Sequence, residues 1–342
     1  AIDCLLKGVQ EFGWYEQKNR NKKTGRYRRG IGVACGSHPI SYFNVHHDLT
    51  TMTLKMHEDG SLTLNTGLHD VGCGLITTIA QIVAEVWDLD PALINILEAD
   101  TERGPFDIGT FASRNAYVGG ACALQAAQKL KMLFLEQAAI ILGTLPEYLA
   151  MAGGRVWIKG RENQKKTYGE LATAILLQNQ VDLSVTVTHR PPGRPVAYAA
   201  HFAGVEVDTA TGLIRVTDYV AVHDVGKAIN PGIVEGQILG GIQMGLGFAL
   251  CEEIKIATDG MPLNASFRDY LVLNAPEMPD IRVFLIEAGE EGGPFGAKGV
   301  GEIATVPVAP AVVNAVNNAL GTSLTALPLT PEKVLSSLRH RR

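Results

Sequence analysis

Long apolar runs are missing. No stretch of 18 or more apolar residues appears, so no bilayer-spanning segment is expected. Cysteine is scarce: the five present, Cys4, Cys35, Cys73, Cys122 and Cys251, are odd in number and scattered. That pattern excludes a disulfide framework and reads as reduced thiols of a cytoplasmic protein. With no C-x-x-C pair and no iron–sulfur spacing, the chain is expected to carry no cluster of its own. Charge is thin as well, at 19% of residues and a net −5, which gives no field to gather nucleic acid or an anionic membrane. The start, Ala1-Ile2-Asp3-Cys4, has neither an initiator Met nor a signal-peptide pattern, so a processed product or a piece of a longer chain is expected. What remains is 342 residues, 46% of them hydrophobic, enough for two globular domains with cores of their own.

Residues 1–29 read as a basic lead-in, with Lys18, Arg20, Lys22, Lys23, Arg26, Arg28 and Arg29 around a turn at Thr24-Gly25. Nucleic-acid binding would want interleaved aromatics, and only Tyr27 is offered. Gly30 to Ala34 turns apolar and reads as a buried strand. His46-His47-Asp48 suggests a metal site, but adjacent histidines on a strand point to opposite faces and do not readily share an ion.

The first substructure, residues 30–150, contains a hairpin. Met52 to Met56 alternates, Glu58-Asp59-Gly60-Ser61 turns, and Leu62 to Thr66 returns into His69-Asp70-Val71-Gly72-Cys73-Gly74. A helix follows, with Ile76, Ile79, Ile82, Val83 and Val86 at helical spacing, so the glycine loop reads as an anion site at a helix start. Ile94 to Thr101 reads as a strand. Beyond it, Gly109-Thr110-Phe111-Ala112-Ser113-Arg114 leads to a helix from about Val118 through Leu130. Thr110, Ser113 and Arg114 offer donors suited to phosphate, while Ser113 is equally an ordinary N-cap candidate.

A soft boundary falls between Gly143 and Thr167, and the second substructure, 151–342, repeats the plan. Phe202 to Asp208 and Leu213 to Val222 form a hairpin that runs into His223-Asp224-Val225-Gly226, the tetrapeptide seen at His69 to Gly72. Pro231 opens a helix that carries Gly236, Gln237, Gly240, Gly241 and Gly245. Each interior glycine costs a helix about 1 kcal/mol against alanine, so something must approach this helix closely, a packed neighbour or a ligand.

Five glycines fall among the eleven residues Gly292 to Glu302, and the loop ends on that one carboxylate before an apolar segment. Such a loop lets backbone approach a ligand. Glu302, set among small and apolar residues, is expected to be partly desolvated and so a proton acceptor near neutral pH. The alternative is a carboxylate favoured by the dipole of the helix that follows.

Gly296-Ala297-Lys298-Gly299-Val300-Gly301-Glu302 resembles the C-terminal signature of the xanthine dehydrogenase / aldehyde oxidoreductase family of molybdenum hydroxylases. So do Asp100-Thr101 with Gly109 to Arg114, and Gln237 on its helix; the resemblance runs from about Gly30 to Val334. It implies an α+β fold of two similar mixed α/β domains around an extended cofactor site. It makes Glu302 the active-site base beside the molybdenum, which is held through the pterin dithiolene and not by protein ligands. It places Gly72, Cys73, Gly74, Thr110, Phe111, Ala112, Ser113, Arg114, Gln237, Lys298, Gly299 and Val300 against molybdopterin or its cytosine dinucleotide. The implied reaction is oxidative hydroxylation of an aldehyde or N-heterocycle with a water-derived oxygen. Where the family commonly has Gly-Gln-Gly, this chain has Gly72-Cys73-Gly74, a loss of an amide donor and acceptor that argues for the alternative of a non-catalytic cofactor-binding or assembly subunit. The resemblance covers only the C-terminal part of the family's large subunit. The upstream half, an iron–sulfur (2Fe-2S) subunit and a flavin (FAD) subunit are the expected partners.

Overall fold

The computed structural model describes residues 1–21, 23–45 and 47–339; Lys22 of the basic run and His46 of the metal reading lie outside them. Helices α1 (Ile2–Phe12) and α2 (Trp14–Asn19) precede the long strand β1 (Tyr27–Pro39). Strands β2 (Thr50–Met56) and β3 (Leu62–Thr66), helix α3 (Leu75–Trp87), strand β4 (Ile94–Glu98) and helix α4 (Gly120–Leu142) follow. Short strands β5 (Leu149–Ala152), β6 (Arg155–Ile158) and β7 (Lys166–Thr167) lead to α5 (Tyr168–Ala174) and β8 (Ser184–His189). The chain ends with β9 (Val196–Asp208), β10 (Ile214–Asp224), α6 (Pro231–Leu250), β11 (Ile281–Ile286), α7 (Val308–Leu320) and α8 (Pro331–Arg339).

Two compact units result, and neither is one stretch of chain. The first comprises residues 1–39, 196–288 and 300–342; the second comprises 40–195 and 289–299. The division expected at 150/151 therefore falls inside the second unit. Pairing decides this: β8 adds to β2, and β1 pairs along its whole length with β9. Nor are residues 1–29 only a basic lead-in. Cys4, Gly8 and Phe12 of α1 are buried at helical spacing, Phe12 and Trp14 stack on Phe202, and Arg26 and Arg29 pair with Asp208 and Glu206 of β9.

Each unit holds a four-stranded sheet of the same design. In the first unit the order is β11-β10-β9-β1, with β10–β11 parallel and β9–β10 and β1–β9 antiparallel. In the second it is β4-β3-β2-β8, with β3–β4 parallel and β2–β3 and β2–β8 antiparallel. In both, a hairpin feeds the His-Asp-Val-Gly loop, a helix crosses over to a parallel strand, and a long loop leads to a second helix. The repeat extends to side chains. Glu98, at the end of β4, accepts the N–H of Asp70, and Glu287, just after β11, accepts the N–H of Ala228.

The first unit's core lies between its sheet and α6 and α7, around Val205, Tyr219, Ile242, Leu246, Val312 and Val316. Close approach of α7 to β1 needs glycine. A β-carbon at Gly30 or Gly32 would overlap the α7 backbone at Ala315 and Ala319, or at Ala311 and Ala315. In the second unit the alternating strands β2 and β3 bury Met52, Leu54, Met56, Leu62 and Leu64, and Trp87, Phe134 and Tyr168 form a ring cluster beside α3 and α4. By length and composition α6 could cross a membrane, contrary to the sequence expectation, but it buries Ile238, Ile242, Leu246 and Ala249 in the first unit's core, as a core helix does.

Candidate functional site

In the second unit the first glycine loop is built around Asp70. Its carboxylate accepts the N–H groups of Gly72 (2.8 Å), Cys73 (2.9 Å), Gly74 (3.2 Å) and Ile76 (3.3 Å). Burial opposes the charge, but these four amides outweigh it and hold the Asp70 carboxyl below the ordinary range. The sequence reading of an open anion site at this helix start is thus corrected: the amides that would receive a phosphate already hold a carboxylate.

The second loop is tied down just as firmly. Arg114, expected to be a phosphate donor, is wholly buried and makes four hydrogen bonds inside the unit. Its Nε donates to Asp48 (2.9 Å), Nη1 to Asp107 (2.8 Å) and the Gly109 carbonyl (3.1 Å), and Nη2 to the Leu49 carbonyl (3.0 Å). It is a strut, and Asp48 of the metal reading is one of its partners. Among the described residues no cluster of three metal-ligating side chains exists. The Thr110 hydroxyl donates to the His69 carbonyl (2.7 Å) and accepts from Asn115 (3.1 Å). Asn115 also reaches the Cys73 sulfur at 3.8 Å, joining the two loops. Phe111 stays partly exposed, edge-on to Tyr42. Ala112 and Ser113 both take φ of 49°, a strained left-handed backbone for residues other than glycine. A π-turn, Asn115–Gly119, follows Arg114 and leads to α4, whose own N-cap is Gly119.

The glycine-rich stretch 289–299 belongs to this unit and packs on that loop. A β-carbon at Gly299 would overlap the Ser113 carbonyl, and one at Gly292 would overlap the Tyr117 hydroxyl. Lys298 is half-buried beside it. Gly109-Thr110-Phe111-Ala112-Ser113-Arg114 and Gly293-Pro294-Phe295-Gly296-Ala297-Lys298 share a Gly-x-Phe-x-x-cation pattern at matching places in the two repeats. Phe295, 46% exposed with φ of 51°, is the counterpart of Phe111 and was missed in the sequence; only the repeat of topology gives it away.

In the first unit Val300 packs against the core and Glu302 lies in a run of turns fixed by its neighbours. Ile303 and Ala304 are buried, Ala304 against Gly241 of α6, and Thr305 N–H donates to the Glu302 carbonyl (3.1 Å). The Glu302 side chain keeps 48% of its surface and faces His38, whose Nε2 lies 3.0 Å from Oε2. It is not the desolvated carboxylate expected. Nor does the dipole reading apply, because α7 begins only at Val308 and the field of a helix end fades within its first turn.

On α6 the glycines divide into two sets. β-Carbons at Gly241 and Gly245 would collide with Ala304 and Val308, so these serve packing. At Gly236 and Gly240 a β-carbon would meet nothing within 4 Å. With the exposed Met244 and Phe248 they form one open stripe at i, i+4 spacing, and half-buried Gln237 lies beside it.

The comparisons fit this architecture. Residues 7–279 match the molybdopterin cofactor-binding domain family. The chain is 32% identical to the xanthine dehydrogenase molybdenum-binding subunit of Escherichia coli, over 97% of this chain and 45% of that protein. It superimposes on CO dehydrogenase from Oligotropha carboxidovorans with a TM-score of 0.89 at 27% identity, over 98% of this chain and 45% of the other. For quinoline 2-oxidoreductase from Pseudomonas putida 86 the TM-score is 0.87 at 28% identity, over 99% and 45%. The fold and its repeated loops therefore define a mixed α/β cofactor-binding domain. The chain belongs to the molybdopterin cofactor-binding domain family. It spans about half the length of the relatives it matches. The matched family stretch stops before the Gly292 to Glu302 loop.

Proposed function

We propose that this chain is the catalytic half of a xanthine dehydrogenase-like hydroxylase, which oxidises an aldehyde or N-heterocycle and is complete only with an upstream half, an iron–sulfur subunit and a flavin subunit. The observation that carries the reading is the open stripe of α6. Among the described residues nothing packs within 4 Å of a β-carbon at Gly236 or Gly240, which leaves room for a ligand, and Gln237 beside them carries the amide donor and acceptor groups a pterin needs. Molybdopterin, or its cytosine dinucleotide, suits that surface. Bound there, it would supply the molybdenum for a two-electron oxidation of the substrate.

The chain's own residues do the rest. Backbone of Thr110 to Ser113 and of Lys298 to Val300 would contact the cofactor, with Phe111 offering a ring face. Arg114 fixes the shape of its loop from inside and touches no ligand. Glu302 accepts a proton on its carboxylate, half-exposed and therefore reachable. The five free thiols suit the cytoplasm.

The Gly72-Cys73-Gly74 loop favours the alternative, a non-catalytic cofactor-binding or assembly subunit, because its amides are already occupied by Asp70. One experiment separates the two readings. The native complex is purified through a tag on this chain, with and without Glu302→Gln, and its molybdenum, pterin and turnover are measured. About one molybdenum per chain in both preparations, with turnover lost only in the variant, is the expected outcome of a general base. Unchanged turnover would remove Glu302 from the mechanism, and no molybdenum at all would leave only the assembly reading.

A further inference from the structure

We propose that His38 is the positioning residue of the Glu302 carboxylate; this rests on the reading of Glu302 as proton acceptor. The placement follows from strand geometry. Residues two apart on β1 share a face, and the face of Gly30, Gly32 and Gly36 is pressed against α7 and the turns before it. At Gly36 a β-carbon would crowd Pro307 (2.9 Å), Val306 (3.1 Å) and Ile303 (3.3 Å), so the strand there touches the segment that carries Glu302. His38 is the next residue on that face and the first of the row to carry a polar side chain.

Its Nε2 is buried and makes no hydrogen bond of good geometry, to Glu302 or elsewhere, but Glu302 Oε2 lies within ion-pair reach at 3.0 Å. Backbone on both sides is fixed. His38 is in register with Ala197 in the β1–β9 ladder, and Glu302 precedes two buried residues, Ile303 and Ala304. A half-exposed glutamate side chain has several rotamers to choose from. A ring nitrogen held by a strand selects one of them, which is the role of an orienting group behind a general base.

The test uses the holo complex with His38→Leu, His38→Gln and Glu302→Gln, reading kcat, KM and molybdenum content. His38→Leu should lower kcat by on the order of tenfold to a hundredfold with KM and molybdenum unchanged, the penalty of a misplaced reacting group. His38→Gln, which keeps an amide donor, should recover most of the rate. If His38→Leu turns over like the wild type while Glu302→Gln is inactive, the positioning role is overturned and the Glu302 reading stands. If His38→Leu loses molybdenum, His38 is merely structural and the proposal again fails. Active Glu302→Gln overturns both. Should His38→Leu not assemble, ring nitrogen-15 spectra of the wild-type chain and Glu302→Ala decide. The proton should sit on Nε2 of His38 in the wild type and lose that preference in the variant; identical spectra refute the contact.

Discussion

Replacing Gly236 and Gly240 with alanine should make this protein more stable and worse at holding its cofactor. A glycine inside a helix costs about 1 kcal/mol relative to alanine, and at these two positions the added methyl meets nothing within 4 Å, so no clash offsets the gain. The single variants should each gain about 1 kcal/mol, and the pair about 2 kcal/mol, in urea unfolding of the chain. The same change at Gly241 or Gly245 should do the opposite. There the methyl would press on Ala304 or Val308, and overpacking of that kind costs about 1–3 kcal/mol, more than the helix gains. Pterin and molybdenum in the purified complex should fall for Gly236→Ala and Gly240→Ala, because the methyls stand where a ligand must lie. A stabilised double variant with full cofactor content would refute the reasoning and return the open stripe to plain surface.

Two more consequences follow from buried charge. Arg114→Met leaves the carboxylates of Asp48 and Asp107 buried without their cation and should cost about 3–5 kcal/mol in urea unfolding; a loss under about 1 kcal/mol would mean that the strut carries no load. His201 and His223 share a buried contact, Nε2 to Nε2 at 2.8 Å, and Tyr219 holds the other nitrogen of His201. Burial pushes both imidazoles below their ordinary value, His223 to about 3, and His223 adds to the shift of His201. The unfolded chain therefore binds more protons below about pH 6.5, so their contribution to stability is complete above that pH and is lost as pH falls toward 3. Unfolding free energy should drop by about 1.4 kcal/mol per pH unit for His223 between pH 6 and 4, with His201 adding in the same direction, and His223→Gln should flatten the slope.

How much of this could be read from the chain depended on distance along it. The hairpins of β2–β3 and β9–β10 were legible because alternation and turn residues are local, and Asn230-Pro231 announced α6, whose cap is the Asn230 side chain on the Ile233 amide. The anion loop at Gly72 was misread because its occupant, Asp70, looks like any turn residue until four amides are seen to converge on it. Arg114 was misread because its partners lie 66 and 7 positions away and nothing in Asp48 or Asp107 marks them as buried. For Glu302 the local composition suggested the wrong environment: neither the helix start six residues on nor the histidine on β1 follows from it. The open and packed glycines of α6 look identical in sequence, and only the neighbours tell them apart.

The interleaving of the two units has a consequence for how the chain is made. Strand β1 is synthesised well before its hydrogen-bonding partner β9: Arg26 meets Asp208 across 182 positions. At synthesis rates of about 5–20 residues per second, that edge waits on the order of ten seconds or longer with its backbone unpaired. The first unit cannot be completed until residues 40–195 have been synthesised, and α7, which lies over Gly30 and Gly32, is made later still. Until β9 arrives, β1 presents an unpaired strand edge of the kind that templates wrong pairing.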